Sequence, residues 1–167
     1  LGLVRKEGNE SGALLVFDEI QTGFGRIGYM LATDRFRVVP DIILLAKALG
    51  GGLPLGAFIS SPEIMMSLMS NPVLGHITTF GGHPVCCAAG MESMKVIVDE
   101  GLIENCRLRS EQFRNDLKHE LITEIRGEGL MLAVRLGNPS QVRYAVQKAP
   151  EFGLILDYFL FCDDSFR

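Results

Sequence analysis

Pro40-Asp41-Ile42-Ile43-Leu44-Leu45-Ala46-Lys47-Ala48-Leu49-Gly50-Gly51-Gly52-Leu53-Pro54 carries an apolar run of strand length that stops at a lysine and a glycine triplet. From Ile42 to Ser61 that lysine is the only charged residue, which raises the question of a membrane span. The triplet and Pro54 would break a helix in its middle, so a span is rejected in favour of a buried strand and a tight turn. Upstream, Ala13-Leu14-Leu15-Val16-Phe17 is a second apolar run, ended by Asp18-Glu19. Unbroken runs of this length suit strands buried on both faces, as in a parallel sheet. Each would then deliver a polar group to its C-terminal end.

The flanking sequence extends the same alternation. Leu55-Gly56-Ala57-Phe58-Ile59 is a third strand candidate. Ser61 is placed to cap a helix that has Pro62 at its first position and runs to Met69. His83-Pro84 opens a longer helix to about Glu100, with Val85, Ala88, Ala89, Met94, Ile97 and Val98 as its apolar stripe. A more charged helix is predicted from Ile103 to Glu120. Beyond it, Ile122–Ile125 and Leu130–Val134 read as strands joined through Arg126-Gly127-Glu128-Gly129, Ser140–Lys148 as a helix, and Leu154–Phe161 as a strand. The first hundred residues therefore predict an α/β layer and the remainder a smaller α+β unit, divided as 1–100 and 101–167 near Gly101.

The bulk properties narrow the function. The 167 residues are 47% hydrophobic, enough for a substantial core, and 20 acidic against 16 basic residues leave no basic face for a phosphate backbone, which argues against nucleic acid. Cys86, Cys87, Cys106 and Cys162 lack paired zinc-ligand spacing and are expected to be reduced thiols, consistent with a cytoplasmic protein. No basic segment followed by an apolar core and cleavage site is visible. The chain opens at Leu1 without a methionine and closes at Arg167 without a terminal helix or tail, so it reads as a fragment of something longer.

If the first two runs are neighbours in a parallel sheet, Asp18 and Lys47 meet at the carboxyl edge, where open α/β sheets bind ligands. Singly these residues are weak signals. A lysine after an apolar run ordinarily snorkels to solvent, and Leu14-Leu15-Val16-Phe17-Asp18-Glu19 also has the form of an ATPase Walker B strand. No G-x-x-x-x-G-K-[ST] accompanies it, and the glycine triplet follows the lysine instead of preceding it.

The surroundings are more specific. Phe17-Asp18-Glu19-Ile20-Gln21-Thr22-Gly23-Phe24-Gly25-Arg26-Ile27-Gly28, the Pro40–Ala57 stretch, and Ile77-Thr78-Thr79-Phe80-Gly81-Gly82-His83-Pro84 resemble, in order, the signature of the class III aminotransferases. Ile125-Arg126-Gly127-Glu128-Gly129-Leu130-Met131 resembles the opening of that family's small C-terminal domain. The resemblance implies the C-terminal part of a fold type I large domain that binds pyridoxal 5'-phosphate, followed by part of the small α+β domain.

It also implies roles. Lys47 matches the Schiff-base lysine, Asp18 the partner of the pyridine nitrogen, and Gln21 the contact to the ring hydroxyl. Thr79, beside Thr78, matches the threonine that reaches the cofactor phosphate of a neighbouring subunit, which implies a homodimer with shared active sites. The ending Leu156–Arg167 resembles the strand whose arginine binds the substrate carboxylate in acetylornithine- and ornithine-type members, a task suited to a planar guanidinium. Gly50–Gly52 are expected to allow close backbone approach near the cofactor, and His76 and His83 to close loops. The implied partners are an amino donor such as acetylornithine and a 2-oxo acid acceptor, 2-oxoglutarate, with neither nucleic acid nor membrane. The other readings are a non-catalytic truncated piece and an ATPase fragment.

Overall fold

The run that stops at Lys47 forms strand β2 (Ile42–Leu45), and the upstream run forms β1 (Val16–Asp18), paired parallel to it with Val16 opposite Ile42, Phe17 opposite Ile43 and Asp18 opposite Leu44. This is a computed structural model, and it describes residues 1–73 and 76–167. The chain divides into two compact units, Leu1–Ile103 and Glu104–Arg167. That division falls at Ile103/Glu104, within a helix, where the sequence suggested Gly101.

In the first unit, β3 (Ala57–Ser60) completes a sheet of order β1-β2-β3 and runs antiparallel to β2. The sheet is therefore mixed, with a parallel pair at its centre of interest and an antiparallel edge. The expectation that the first run is buried on both faces is corrected. Among the described residues β1 pairs only with β2, and Leu14 and Val16 are exposed.

Helix α1 (Gly2–Ser11), which the sequence did not announce, precedes this sheet and ends at Gly12 in the left-handed conformation with φ 74°. Arg5 on α1 donates through Nη1 to Asp41 Oδ2 at 2.7 Å, and the same oxygen accepts the Leu15 N–H at 2.6 Å. The Asp41 N–H in turn reaches the Leu15 carbonyl at 2.8 Å. One aspartate thus aligns the starts of β1 and β2 and moors α1.

Between β1 and β2 the chain crosses through a glycine-containing turn and the short helix α2 (Ala32–Phe36). Ser61 caps α3 (Pro62–Met66) by accepting the Ile64 N–H at 3.5 Å, with Pro62 in the first turn as predicted. The predicted continuation to Met69 tightens into a 3-10 turn over Ser67–Met69. Pro84 opens α4 (Pro84–Asp99). Residues 42–61 are strand, turn and strand, and among the described residues no helix is long and apolar enough to cross a membrane.

In the second unit, α5 (Leu102–Asp116) leads to the hairpin β4 (Glu124–Glu128) and β5 (Met131–Arg135). Arg114 on α5 donates to the carbonyls of Ile125 and Gly127 at 3.2 and 2.7 Å. Asn138 caps α6 (Pro139–Lys148) through the Ser140 N–H at 2.9 Å. The single strand predicted at 154–161 is corrected to an irregular approach and a hairpin, β6 (Tyr158–Phe159) with β7 (Cys162–Phe166). An unbroken strand would have hidden the bend, because Phe159-Leu160-Phe161 is apolar straight through it. The sheet order is β4-β5-β7-β6, all antiparallel, with Val142 and Ser165 fully buried beside Ala133 and Val134.

The Leu15 amide and the Arg5 guanidinium hold the Asp41 carboxyl below its ordinary value of 3.8. A depressed folded-state value means that the unfolded chain takes up the proton first as pH falls. Asp41 therefore stabilises the fold above the ordinary aspartate range and loses that contribution on acidification. Thermal midpoints measured from about pH 6 to about pH 3 are expected to fall more steeply for the wild type than for Asp41→Asn. Parallel curves would show that Asp41 contributes nothing through its charge.

Candidate active site

Because β1 and β2 run the same way, their C-terminal ends open on one edge of the sheet, with neighbouring strands about 4.8 Å apart. Asp18 closes β1 opposite Leu44, and the Glu19 N–H extends the ladder one step to the Leu44 carbonyl at 3.0 Å. Strand alternation then sends Asp18 and Glu19 to opposite sides. Asp18 is exposed, and its Oδ1 accepts the Ile20 N–H at 3.0 Å, which fixes the carboxylate at the strand end. Gln21 follows, exposed, in the turn leading off β1.

Lys47 stands just past β2 on the same edge. Ala46 before it is extended, and Lys47 itself takes φ 50°, in the left-handed region that side chains with a Cβ avoid. Such a residue persists where its surroundings fix it. Here the fixing element is α4. Ser93 Oγ donates to the Ala48 carbonyl at 3.2 Å, Leu49 and Gly50 are buried, and the 3-10 turn Lys47–Gly50 lies against the helix.

A Cβ on Gly51 would fall 2.8 Å from the Ala89 carbonyl oxygen, and one on Gly90 would fall 2.6 Å from that of Leu49. Within the glycine triplet, Gly51 therefore serves close approach to helix α4. The lysine amine itself is exposed.

Thr78 and Thr79 belong to the exposed segment entering α4, where the His83 N–H bonds to the Phe80 carbonyl at 3.2 Å. Neither lies in a strand. A Cβ on Gly81 would collide with Thr78 Oγ1 unless that exposed side chain turned aside.

Arg167 lies in the second unit, already engaged. Its Nη2 and Nε reach Asp157 Oδ2 at 2.8 and 3.3 Å, the two residues exchange backbone hydrogen bonds of 2.7 and 3.1 Å, and the guanidinium lies 5.8 Å from the Phe159 ring centre. This pairing holds the Asp157 carboxyl below the usual aspartate range.

The sequence reading assigned nothing to Glu19, which is 1% exposed. Its Oε1 accepts the Thr33 N–H at 3.0 Å, its Oε2 accepts the Thr22 hydroxyl, and its carbonyl accepts the Gly23 N–H at 2.9 Å. The signal was present in the acidic pair closing an apolar run, since a period of two forces one member inward. The burial also removes the physical basis of the Walker B reading, because the second carboxylate turns away from the edge and is consumed by protein donors. Among the described residues, no group of three or more His, Cys, Asp or Glu gathers to hold a metal.

Comparison with known proteins adds a family to this geometry. The profile described as "Aminotransferase class-III" matches residues 1–160. An acetylornithine aminotransferase of Streptomyces coelicolor is 44% identical over 145 residues, covering 83% of this chain and 35% of that protein. Among solved structures, an ornithine aminotransferase from Toxoplasma gondii superposes with a TM-score of 0.84 at 35% identity, over 97% of this chain and 39% of its own. An aminotransferase from Bacillus anthracis does so with 0.86 at 30% identity, over 98% and 41%. The chain thus spans between a third and a half of the length of these relatives.

The turn that carries Lys47 supplies a direct test of its packing. Gly51 has φ 56° as well as the 2.8 Å approach to Ala89, so Gly51→Ala meets both a conformational and a steric penalty. It is expected to destabilise the first unit by about 1–3 kcal/mol, read from urea denaturation. Gly52→Ala, at φ 96° with nothing within 4 Å of its added Cβ, separates the conformational part from the steric one. Equal losses in the two variants would mean that contact with α4 is not what holds the turn.

Proposed function

The chain belongs to the class-III aminotransferase family, and on that premise we propose that it forms the C-terminal part of a pyridoxal-phosphate-dependent transaminase. The observation that carries the reading is the parallel register of β1 and β2, which brings the Asp18 carboxylate and the Lys47 amine to one sheet edge. In this reading, residues 1–103 contribute to the large cofactor-binding domain and residues 104–167 to the small domain.

The donor set at that edge fits the cofactor. Lys47 offers an amine to an aldehyde, Asp18 a carboxylate to a protonated ring nitrogen, and Gln21 an amide to a ring hydroxyl. Thr79, with Thr78 beside it, offers a hydroxyl to a phosphate oxygen of a second subunit, so the assembly proposed is a homodimer with shared sites. Pyridoxal phosphate, when bound, supplies an electron-withdrawing ring that acidifies the Cα–H of an amino-acid substrate. Asp18 would pair its carboxylate with the ring nitrogen and so favour the protonated ring. Lys47 would hold the cofactor through Nζ, and its amine would serve as the base for the Cα proton of the substrate. The strand end and the clamped turn keep both groups oriented, which is where positioning contributes most to rate.

The reaction proposed is transfer of an amino group from acetylornithine or a related ω-amino donor to a 2-oxo acid, 2-oxoglutarate foremost. The name of the Streptomyces relative supports the donor class. Arg167 is the candidate for the substrate carboxylate, and to serve it must exchange Asp157 for that ligand, one carboxylate for another.

Absorbance of the purified chain, after incubation with pyridoxal phosphate and removal of the excess, tests the reading directly. The wild type is expected to show a near-visible band that borohydride traps on Lys47, and Lys47→Ala is expected to lack both. Indistinguishable spectra would favour the non-catalytic reading of this chain.

A further inference from the structure

Glu19 is the one acidic group beside the site that the proposed reaction does not use, and it is buried while its neighbour Asp18 is exposed. Burying a carboxylate is costly unless donors meet it, and an apolar side chain of similar volume would fill the same space without that cost. What the carboxylate adds is direction. Its two oxygens take donors from both ends of the Thr22–Thr33 segment, the Thr22 hydroxyl and the Thr33 N–H. Its backbone acts in the same place, with the N–H on Leu44 and the carbonyl on Gly23. Gly23 is held so near that an added Cβ would lie 2.9 Å from the Glu19 carbonyl oxygen. Asp18 stands immediately before this staple and Gln21 stands inside it.

We infer that Glu19 is a positioning residue, whose buried carboxylate staples the turn that bears Gln21 to the start of α2 and so fixes Gln21 and Asp18 toward the cofactor. The inference rests on the roles proposed above for those two residues. It distinguishes hydrogen bonding from space filling. In Glu19→Gln the amide oxygen can accept the Thr33 N–H while the amide nitrogen donates to the Thr22 oxygen, so the staple survives. Glu19→Leu fills the volume and orphans both donors, and Glu19→Ala loses both volume and bonds.

The first readout is amide hydrogen exchange of the chain without cofactor, at Gly23, Phe24 and Gly25. Their acceptors, the carbonyls of Glu19, Met30 and Tyr29 respectively, persist in every variant. Exchange there is expected to accelerate roughly tenfold or more in Glu19→Ala and Glu19→Leu, to stay near wild type in Glu19→Gln, and to be unchanged in the β4–β5 ladder. The second readout is the pyridoxal phosphate concentration needed to develop the Lys47 absorbance band, expected to rise about tenfold in the Ala and Leu variants and not in the Gln variant.

Leu matching wild type in both readouts, or Gln matching Ala, overturns the inference. If Glu19→Ala does not fold, the Leu and Gln pair decides it alone. A wild type that develops no band while exchange still sets Ala and Leu above Gln overturns the cofactor reading and leaves the staple standing.

Discussion

The parallel pairing of β1 with β2 is the constraint on which the first unit turns. A strand of three residues against one of four makes a short ladder, so its register needs help at both ends. Asp41 supplies it at the start, through the Leu15 amide and Arg5. The Glu19 N–H on the Leu44 carbonyl supplies it at the finish. A slip of one residue would exchange the faces of Asp18 and Glu19, sending the carboxylate proposed for the cofactor inward and the structural one out. Register is therefore a chemical variable here as much as a geometric one.

Burial does little of this work. Leu45 is the only buried residue in β1, β2 and β3, and Val16, Phe58 and Ile59 are exposed on the same sheet. Within the described residues, the geometry of the edge is held by polar and steric devices. Asp41 lies under the strand starts, Glu19 under the turn after β1, and Ser93 with Gly51 and Gly90 under the turn after β2. Each is local and directional, which suits a place where the two groups proposed to meet the cofactor must keep a fixed separation.

What could be read from the sequence follows the same division. Apolar runs, the Ser61 and Pro62 cap, Pro84 and the glycine punctuation announce themselves through nearest neighbours, and these elements appear within a few residues of expectation. The likeness to the aminotransferases rested on those same stretches, and the family comparison agrees with it. What escaped depends on partners distant in sequence. α1 shows its purpose only through Arg5 reaching Asp41, and the β6–β7 bend only through pairing across Leu160-Phe161. Arg167 could be proposed as a carboxylate ligand from its motif, but not that Asp157 already occupies it.

The acidic pair shows how far a simple rule could have gone. Two carboxylates at consecutive positions on one strand cannot face the same way, so an apolar run ending in Asp-Glu commits one of them to the interior unless the strand ends between them. Here the ladder continues through the Glu19 N–H, and alternation puts Glu19 on the side of half-buried Phe17 and Asp18 on that of exposed Val16, so the second carboxylate is the one enclosed. An enclosed carboxylate needs donors, and the nearest available are the threonine hydroxyl three residues on and a backbone N–H at the next helix start. The Thr22 hydroxyl and a free backbone N–H at position 33 are then requirements of Glu19, as Gly23 is a requirement of its carbonyl. The turn that bears Gln21 is thus shaped from beneath by a residue that never meets the face where Asp18 and Lys47 stand.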